Sequence, residues 1–140
     1  MITQIIIPNE IQEKIIAHCL KNYPKEACGI LAGKGGQAEI IYPLINISEN
    51  PELCYLIDAK EQLKVFKEIR AKSLEITAIY HSHTHTEAYP SAKDLELAFY
   101  PDSFYVIVTL ADKNKPKIRA FKIIEGKIKE LNIKEKETNG

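Results

Sequence analysis

Along this 140-residue chain the spacing of apolar residues switches repeatedly between a strand period and a helix period. That order of periods restricts the fold more than any other feature. "ITQIIIP" reads as a first strand, rich in isoleucine and closed by Pro8. Asn9 then stands as the N-cap of a helix in which Ile11, Ile15, Ala17, His18 and Cys19 recur at helical spacing until about Tyr23, where Pro24 ends the run. "ACGILAG" is a short apolar strand followed by the turn "GKGG". "AEIIYPLINI" and "LCYLID" read as further strands, with Pro43 pushing the first towards a sheet edge or a bulge. "AKEQLKVFKEIRAKSL" is the clearest amphipathic helix, carrying Leu63, Phe66 and Ile69 on one face. "EITAIYHSH" returns to strand, and "SAKDLELAFY" is a short helix stopped by Pro101. "SFYVIVTLA" reads as a central buried strand, and "KIRAFKII" and "KIKELNI" as a last pair turning at Glu125-Gly126.

Helices and strands interleave first and strands dominate last. This predicts an α/β (α+β) architecture, a mixed sheet with helices packed on its faces. The expected organisation is a single domain over residues 1–134 with a polar, frayed tail at 135–140. The final strand, "KIKELNI", offers an edge through which two copies could pair as a homodimer.

Charge narrows the choice of partner. The 19 basic and 19 acidic residues cancel, so no long-range field draws the chain to nucleic acid or to an anionic membrane. The apolar runs "GILAG" and "YVIVTLA" are too short to cross a bilayer. The N-terminus "MITQIIIPNE" has no basic segment or cleavage pattern of a secretory signal. Cys19, Cys28 and Cys54 are an odd number and none lies in a C-x-x-C pair, which argues against a disulfide framework and a cysteine-built metal site. A reducing cytoplasm is the expected location.

The chemistry concentrates in "AIYHSHTHTEAYPSAKDLELAF", residues 78–99, which holds three of the four histidines. On an extended strand His81 and His83 project to the same side, about 7 Å apart, with Ser82 on the other. A single strand histidine is ordinarily a satisfied surface or core residue. Ser91 and Asp94 likewise match a capping box, serine at the N-cap and acid at N3, which satisfies helix amides and nothing more. The structural and chemical readings are compatible. The loop 84–90 would bring Asp94, in the first helical turn, back over the strand end, where a carboxylate could complete a His, His, Asp set. Catalytic zinc sites use three such protein ligands and leave the fourth position open.

"HSHTHTEAYPSAKD" resembles the metal motif of the JAMM/MPN+ (Mov34/PAD-1-like) zinc metalloproteases, His-Ser/Thr-His-Pro, a loop, then Ala-x-Pro-Ser-x-x-Asp. His81, Ser82, His83, Ala88, Pro90, Ser91 and Asp94 all fall in register. "PKEACGILAG" is similar to the family segment that bears its glutamate, and "YLIDAKEQLKVFKEI" to its strand-helix passage, so the likeness spans roughly residues 8–110. The stand-alone prokaryotic type is the nearest in form. The resemblance implies an MPN domain with a cytidine-deaminase-like sheet and one Zn2+ per chain held by His81, His83 and Asp94. It also implies hydrolysis by a zinc-activated water, with Glu26 as general base and acid and Ser91 as oxyanion stabiliser. The implied substrate is an amide bond at the Gly-Gly C-terminus of a ubiquitin-like or sulfur-carrier protein.

Two positions depart from the pattern. Thr84 replaces the family proline, which could loosen the turn after the second ligand, and His85 follows it. A zinc site of His81, His83 and His85 would leave the Pro-Ser-x-x-Asp register unexplained, so His85 is expected to face solvent or substrate. The alternative function is a non-catalytic MPN-type scaffold, but such relatives lack the ligands kept here. A zinc deaminase would need His/Cys-x-Glu and Pro-Cys-x-x-Cys, and neither occurs.

Overall fold

The computed structural model describes residues 4–96, 98 and 102–136. Seven strands and three helices follow one another as β1 (Gln4–Ile6), α1 (Asn9–Asn22), β2 (Cys28–Lys34), β3 (Gln37–Leu44), α2 (Ala59–Ala71), β4 (Glu75–His83), α3 (Ala92–Glu96), β5 (Phe104–Thr109), β6 (Lys117–Ile124) and β7 (Lys127–Lys134). The α/β expectation holds, as a mixed sheet in the order β1-β3-β2-β4-β5-β6-β7 that closes on itself. β4 and β5 run parallel, while β2 is antiparallel to both β3 and β4. β1 closes the ring by pairing in parallel with β7, Ile5 opposite Ile133, and with β3 through Ile6 and Gln37.

Two apolar layers lie on opposite faces of the sheet. On one, Ile11, Ile15 and Cys19 of α1 pack with Leu31 of β2, Tyr80 of β4, Val106 and Val108 of β5 and Leu131 of β7. On the other, Val65 and Ile69 of α2 cover Cys28, Ile30 and Ala32 of β2, with Tyr55 among them. β4 is thus covered on both sides, and every residue from Thr77 to His83 is buried. Strands buried on both faces read as continuous apolar runs, as "ITAIY" does.

The approach of β2 to β4 leaves no room at Gly29. A Cβ there would lie 2.3 Å from the Tyr80 ring, so hydrogen is the only substituent that fits. The Tyr80 hydroxyl reaches Nδ1 of His18 at 2.7 Å and ties α1 to β4. At the β6–β7 hairpin, Glu125 and Gly126 both take positive φ (51° and 78°), as a two-residue turn between twisted strands requires.

Several expectations need correction. Asn9 does not cap α1: the N-cap is Pro8, and Asn9 is the first helical residue, its Nδ2 3.4 Å from the Glu13 carboxylate. Proline's fixed φ presets the turn into the helix, and the Pro8 carbonyl accepts from the Ile11 and Gln12 N–H groups. "LCYLID" is not a strand. It makes a single bridge, Ile57 to Asn46, while its Leu53 and Cys54 N–H groups donate to Asn50 O and its Leu56 N–H to the Asn46 side chain. Leu63 is 54% exposed, because the buried line of α2 runs through Val65 and Ile69. The free edge expected at "KIKELNI" is paired with β1 over Asn132–Lys134. Pro43 does sit where its missing N–H costs nothing, since β1 meets β3 only at Gln37. The end expected for the third helix at Pro101, and the tail over 137–140, lie outside the described residues.

Candidate metal centre and active site

β4 delivers the two histidines as the strand period requires. His81 and His83 point to the α2 side, and Ser82 points to the α1 side. Both imidazoles are buried, at 1% and 4% exposure, with their Nε2 atoms 3.1 Å apart. Asp94 comes from the first turn of α3. Its Oδ1 lies 3.0 Å from His81 Nε2 and its Oδ2 2.9 Å from His83 Nε2.

The capping box is also present, and it holds the carboxylate in place. The Ser91 N–H donates to Asp94 Oδ2 at 2.8 Å, and the Asp94 N–H donates to Ser91 Oγ at 3.1 Å. One aspartate therefore both caps its helix and faces the histidines. The Ser91 oxygen accepts in this bond, which leaves its hydroxyl proton free to donate elsewhere.

The three side chains of the His, His, Asp set offer ligand atoms all within 4.8 Å of one another. A tetrahedral ion bound at 2.0–2.1 Å needs its ligand atoms about 3.3 Å apart. The two Nε2 atoms, 3.1 Å apart, come near that spacing, and the Asp94 carboxylate meets them through different oxygens, Oδ1 at 3.0 Å from His81 and Oδ2 at 2.9 Å from His83. Nδ1 of His83 donates to the Glu87 carbonyl at 2.8 Å, which orients the ring with Nε2 facing Asp94. His81 is oriented differently. Among the described residues its Nδ1 has no hydrogen-bond partner, but the ring stacks on Tyr55 at 4.5 Å between centroids.

Electrostatics prepares the same atoms. Burial lowers the His81 pKa, whereas at His83 burial is outweighed by the hydrogen bonds to Asp94 and the Glu87 carbonyl, which raise it and hold a proton that a bound ion would displace. Burial works against the Asp94 carboxylate, but hydrogen bonds from His81 and His83 outweigh it and hold the group well below the usual carboxylate range. Neutral imidazole and ionised carboxylate are the forms that bind metal.

Glu26 stands just before β2, 6% exposed, and Oε1 has no hydrogen-bond partner among the described residues. Burial raises its pKa from 4.5 to about 8, with smaller effects from the His83 and Asp94 charges. Its carboxyl is therefore close enough to the ligand cluster to sense it. The peptide around it is fixed on three sides. The Glu26 N–H donates to Pro51 O at 2.7 Å, Asn46 Nδ2 donates to Glu26 O at 2.9 Å, and the Ala27 N–H donates to Ser82 Oγ at 2.8 Å.

Residues 8–124 match the family model described as prokaryotic homologs of the JAB domain. The chain belongs to this family. It is 38% identical over 128 residues to the CysO-cysteine peptidase of Mycobacterium tuberculosis, covering 90% of this chain and 87% of that protein. It is 33% identical over 122 residues to a probable TtuB-protein conjugate cleaving protease of Thermus thermophilus, covering 87% and 78% respectively. The solution structure of a Desulfitobacterium hafniense protein superposes with a TM-score of 0.82 at 35% identity, covering 92% of this chain and 90% of that one.

Within the JAB domain, every residue singled out by sequence has a definite place. His81, His83 and Asp94 converge, Glu26 is electrostatically coupled to them, and Ser91 is bonded to Asp94. His85 stays outside. It is exposed and meets the Tyr23 ring edge-on at 6.3 Å, so a site of His81, His83 and His85 does not form. Thr84, in the place of the family proline, is buried, and its hydroxyl points to Glu52 O at 3.4 Å. Sequence reasoning missed Tyr55 and Asn46. Both lie in the 45–58 segment between β3 and α2, whose length without regular structure was the available signal.

Proposed function

We propose that this JAB domain is a zinc metallopeptidase that hydrolyses the amide bond after the Gly-Gly end of a sulfur-carrier or ubiquitin-like protein. The observation that carries this reading is the convergence of three buried side chains, His81, His83 and Asp94, into one cluster of ligand atoms, with the buried Glu26 near enough to feel the His83 and Asp94 charges and its Oε1 without a hydrogen-bond partner among the described residues. The named relatives support the substrate class, one being a CysO-cysteine peptidase and another a cleaving protease for TtuB-protein conjugates.

His81, His83 and Asp94 would hold the ion, which when bound supplies Lewis acidity and lowers the pKa of a water from about 15.7 to roughly 7. Glu26 takes a proton from the attacking water at Oε1 and returns it to the leaving amine. Such general acid-base transfer is worth about 10²–10⁴ in rate. Ser91 donates its hydroxyl to the carbonyl oxygen as charge builds there. Removing a donor of this kind typically costs about 10²–10³. Two terminal glycines suit the role of substrate tail, because a chain without side chains can approach a buried site closely.

The test is direct. Purified protein is assayed for zinc, then incubated with a Gly-Gly carrier extended by cysteine, by another amino acid or by a lysine-linked protein, and the products are weighed. One zinc per chain and loss of the extension are expected, with Glu26→Gln keeping the metal and losing hydrolysis. Full activity in Glu26→Gln, or no cleavage of any extension by the zinc-loaded wild type, would overturn the reading.

A further inference from the structure

The Asn46 carboxamide has no spare hydrogen-bonding capacity. Nδ2 donates to Glu26 O at 2.9 Å and to Cys54 O at 3.0 Å, with Pro51 O further off at 3.4 Å. Oδ1 accepts from the Ser48 N–H and the Leu56 N–H, each at 3.0 Å. An amide has two N–H donors and two lone pairs, so all four are engaged. One end of this network is the loop itself, since Ser48, Pro51, Cys54 and Leu56 all belong to it. The other end is the peptide of Glu26, which the same loop also grips through the Pro51 carbonyl at 2.7 Å.

We propose that Asn46 is the positioning residue for Glu26: its side chain fastens the 46–56 loop to the Glu26 peptide and so sets where the carboxyl points. This rests on the reading of Glu26 as the proton carrier. The physical need is clear from the carboxyl's own surroundings. Among the described residues Oε1 has no partner, so no hydrogen bond at that atom aims it, and the hold on the Glu26 peptide matters for where it points. Asn46 makes no hydrogen bond to His81, His83 or Asp94 and reaches the ligands only through the loop that carries Tyr55. A shift of about 1 Å at a reacting group can cost 10²-fold in rate, which is the scale on which a backbone clamp matters.

Asn46→Asp is the informative variant, because it keeps size and the two acceptor bonds while removing the donors to Glu26 O and Cys54 O. Ser48→Ala is its control. It removes the loop bonds of the Ser48 hydroxyl to the Asn50 N–H and to Cys54, and leaves the link to Glu26 untouched. With the protein kept zinc-loaded and a Gly-Gly carrier bearing one added residue, Asn46→Asp should lower kcat by about 10²-fold with KM unchanged. Ser48→Ala should keep kcat. In parallel, amide hydrogen exchange at Glu26 and Ala27 should speed up in Asn46→Asp and stay slow in Ser48→Ala.

An unchanged kcat in Asn46→Asp, or an equal loss in both variants, would overturn the assignment, and so would a loss confined to KM. The exchange measurement is independent of any substrate. If wild type cleaves nothing, the peptidase reading fails on that result alone. Slow exchange at Glu26 in Asn46→Asp would then separately remove the clamp.

Discussion

The Tyr55 ring lies nearly flat against the His81 imidazole, with centroids 4.5 Å apart and planes inclined by 25°. It does for His81 what the Glu87 carbonyl does for His83, fixing a ring so that Nε2 faces the carboxylate. Groups that orient a metal ligand are typically worth 10-fold to 100-fold in affinity. Tyr55→Ala should therefore weaken zinc binding by about that factor, while Tyr55→Phe, which keeps the stacked ring, should retain it. Competition against a chromophoric chelator measures both. Equal affinities for wild type and Tyr55→Ala would show that the stack orients nothing.

A second prediction concerns pH and the metal-free protein. Burial raises the Glu26 pKa from 4.5 to about 8 in the folded state. Between those values the unfolded chain has released this proton and the folded chain has not. The contribution of Glu26 to stability is thus fully present below about pH 4.5 and is lost as pH rises through about 8. The total is on the order of a few kcal/mol. Glu26→Gln has no proton to lose, so with zinc removed it should melt higher than wild type at pH 8 and close to it at pH 5. Thermal melts in a chelator across that range check the sign. A difference that does not change with pH would mean that Glu26 ionises normally.

Ser91 is expected to show two separable losses. Its Oγ accepts the Asp94 N–H, so Ser91→Ala removes a helix cap and should cost about 1 kcal/mol of stability. Its free hydroxyl proton is the proposed oxyanion donor, so the same change should lower kcat by about 10²–10³. Ser91→Asn keeps a capping oxygen and should restore much of the stability without restoring the rate. A rate that recovers along with stability would place Ser91 in the helix cap alone.

Ser82 faces away from the ligands, yet its hydroxyl accepts the buried Ala27 N–H at 2.8 Å. Ser82→Ala leaves that amide unsatisfied, which should destabilise the fold by about 1–3 kcal/mol. Urea unfolding of the two proteins gives the value directly. A change within experimental error would show that the Ala27 amide finds another partner.

The parts of the site that sequence made legible are those set by short-range geometry. His81 and His83 share a side because a strand has a period of two, and the Ser91–Asp94 box is a local pattern that needs only a helix start. Glu26 was accessible only through family resemblance, since no spacing rule relates it to a strand 55 residues downstream. Tyr55 and Asn46 escaped notice for a related reason. Leu53, Tyr55 and Leu56 mimic a strand, but the Asn46 amide occupies the Leu56 N–H that a ladder would have used. Asn9 misled because proline ahead of it already supplies the helix entry. The closure of the sheet through β1 and β7 was hidden because it joins the first strand to the last, the most distant pairing the chain can make.

Gly29 and Tyr80 face each other across β2 and β4 with no room between them for even a methyl group. Evolution and protein engineering meet the same constraint there: position 29 cannot grow alone. A larger residue at 29 becomes tolerable only after the phenol at 80 shrinks, and that step strips His18 of the hydroxyl it bonds. Substitutions at these two sites, and at His18 behind them, should therefore appear as a correlated set in any library selected for folding.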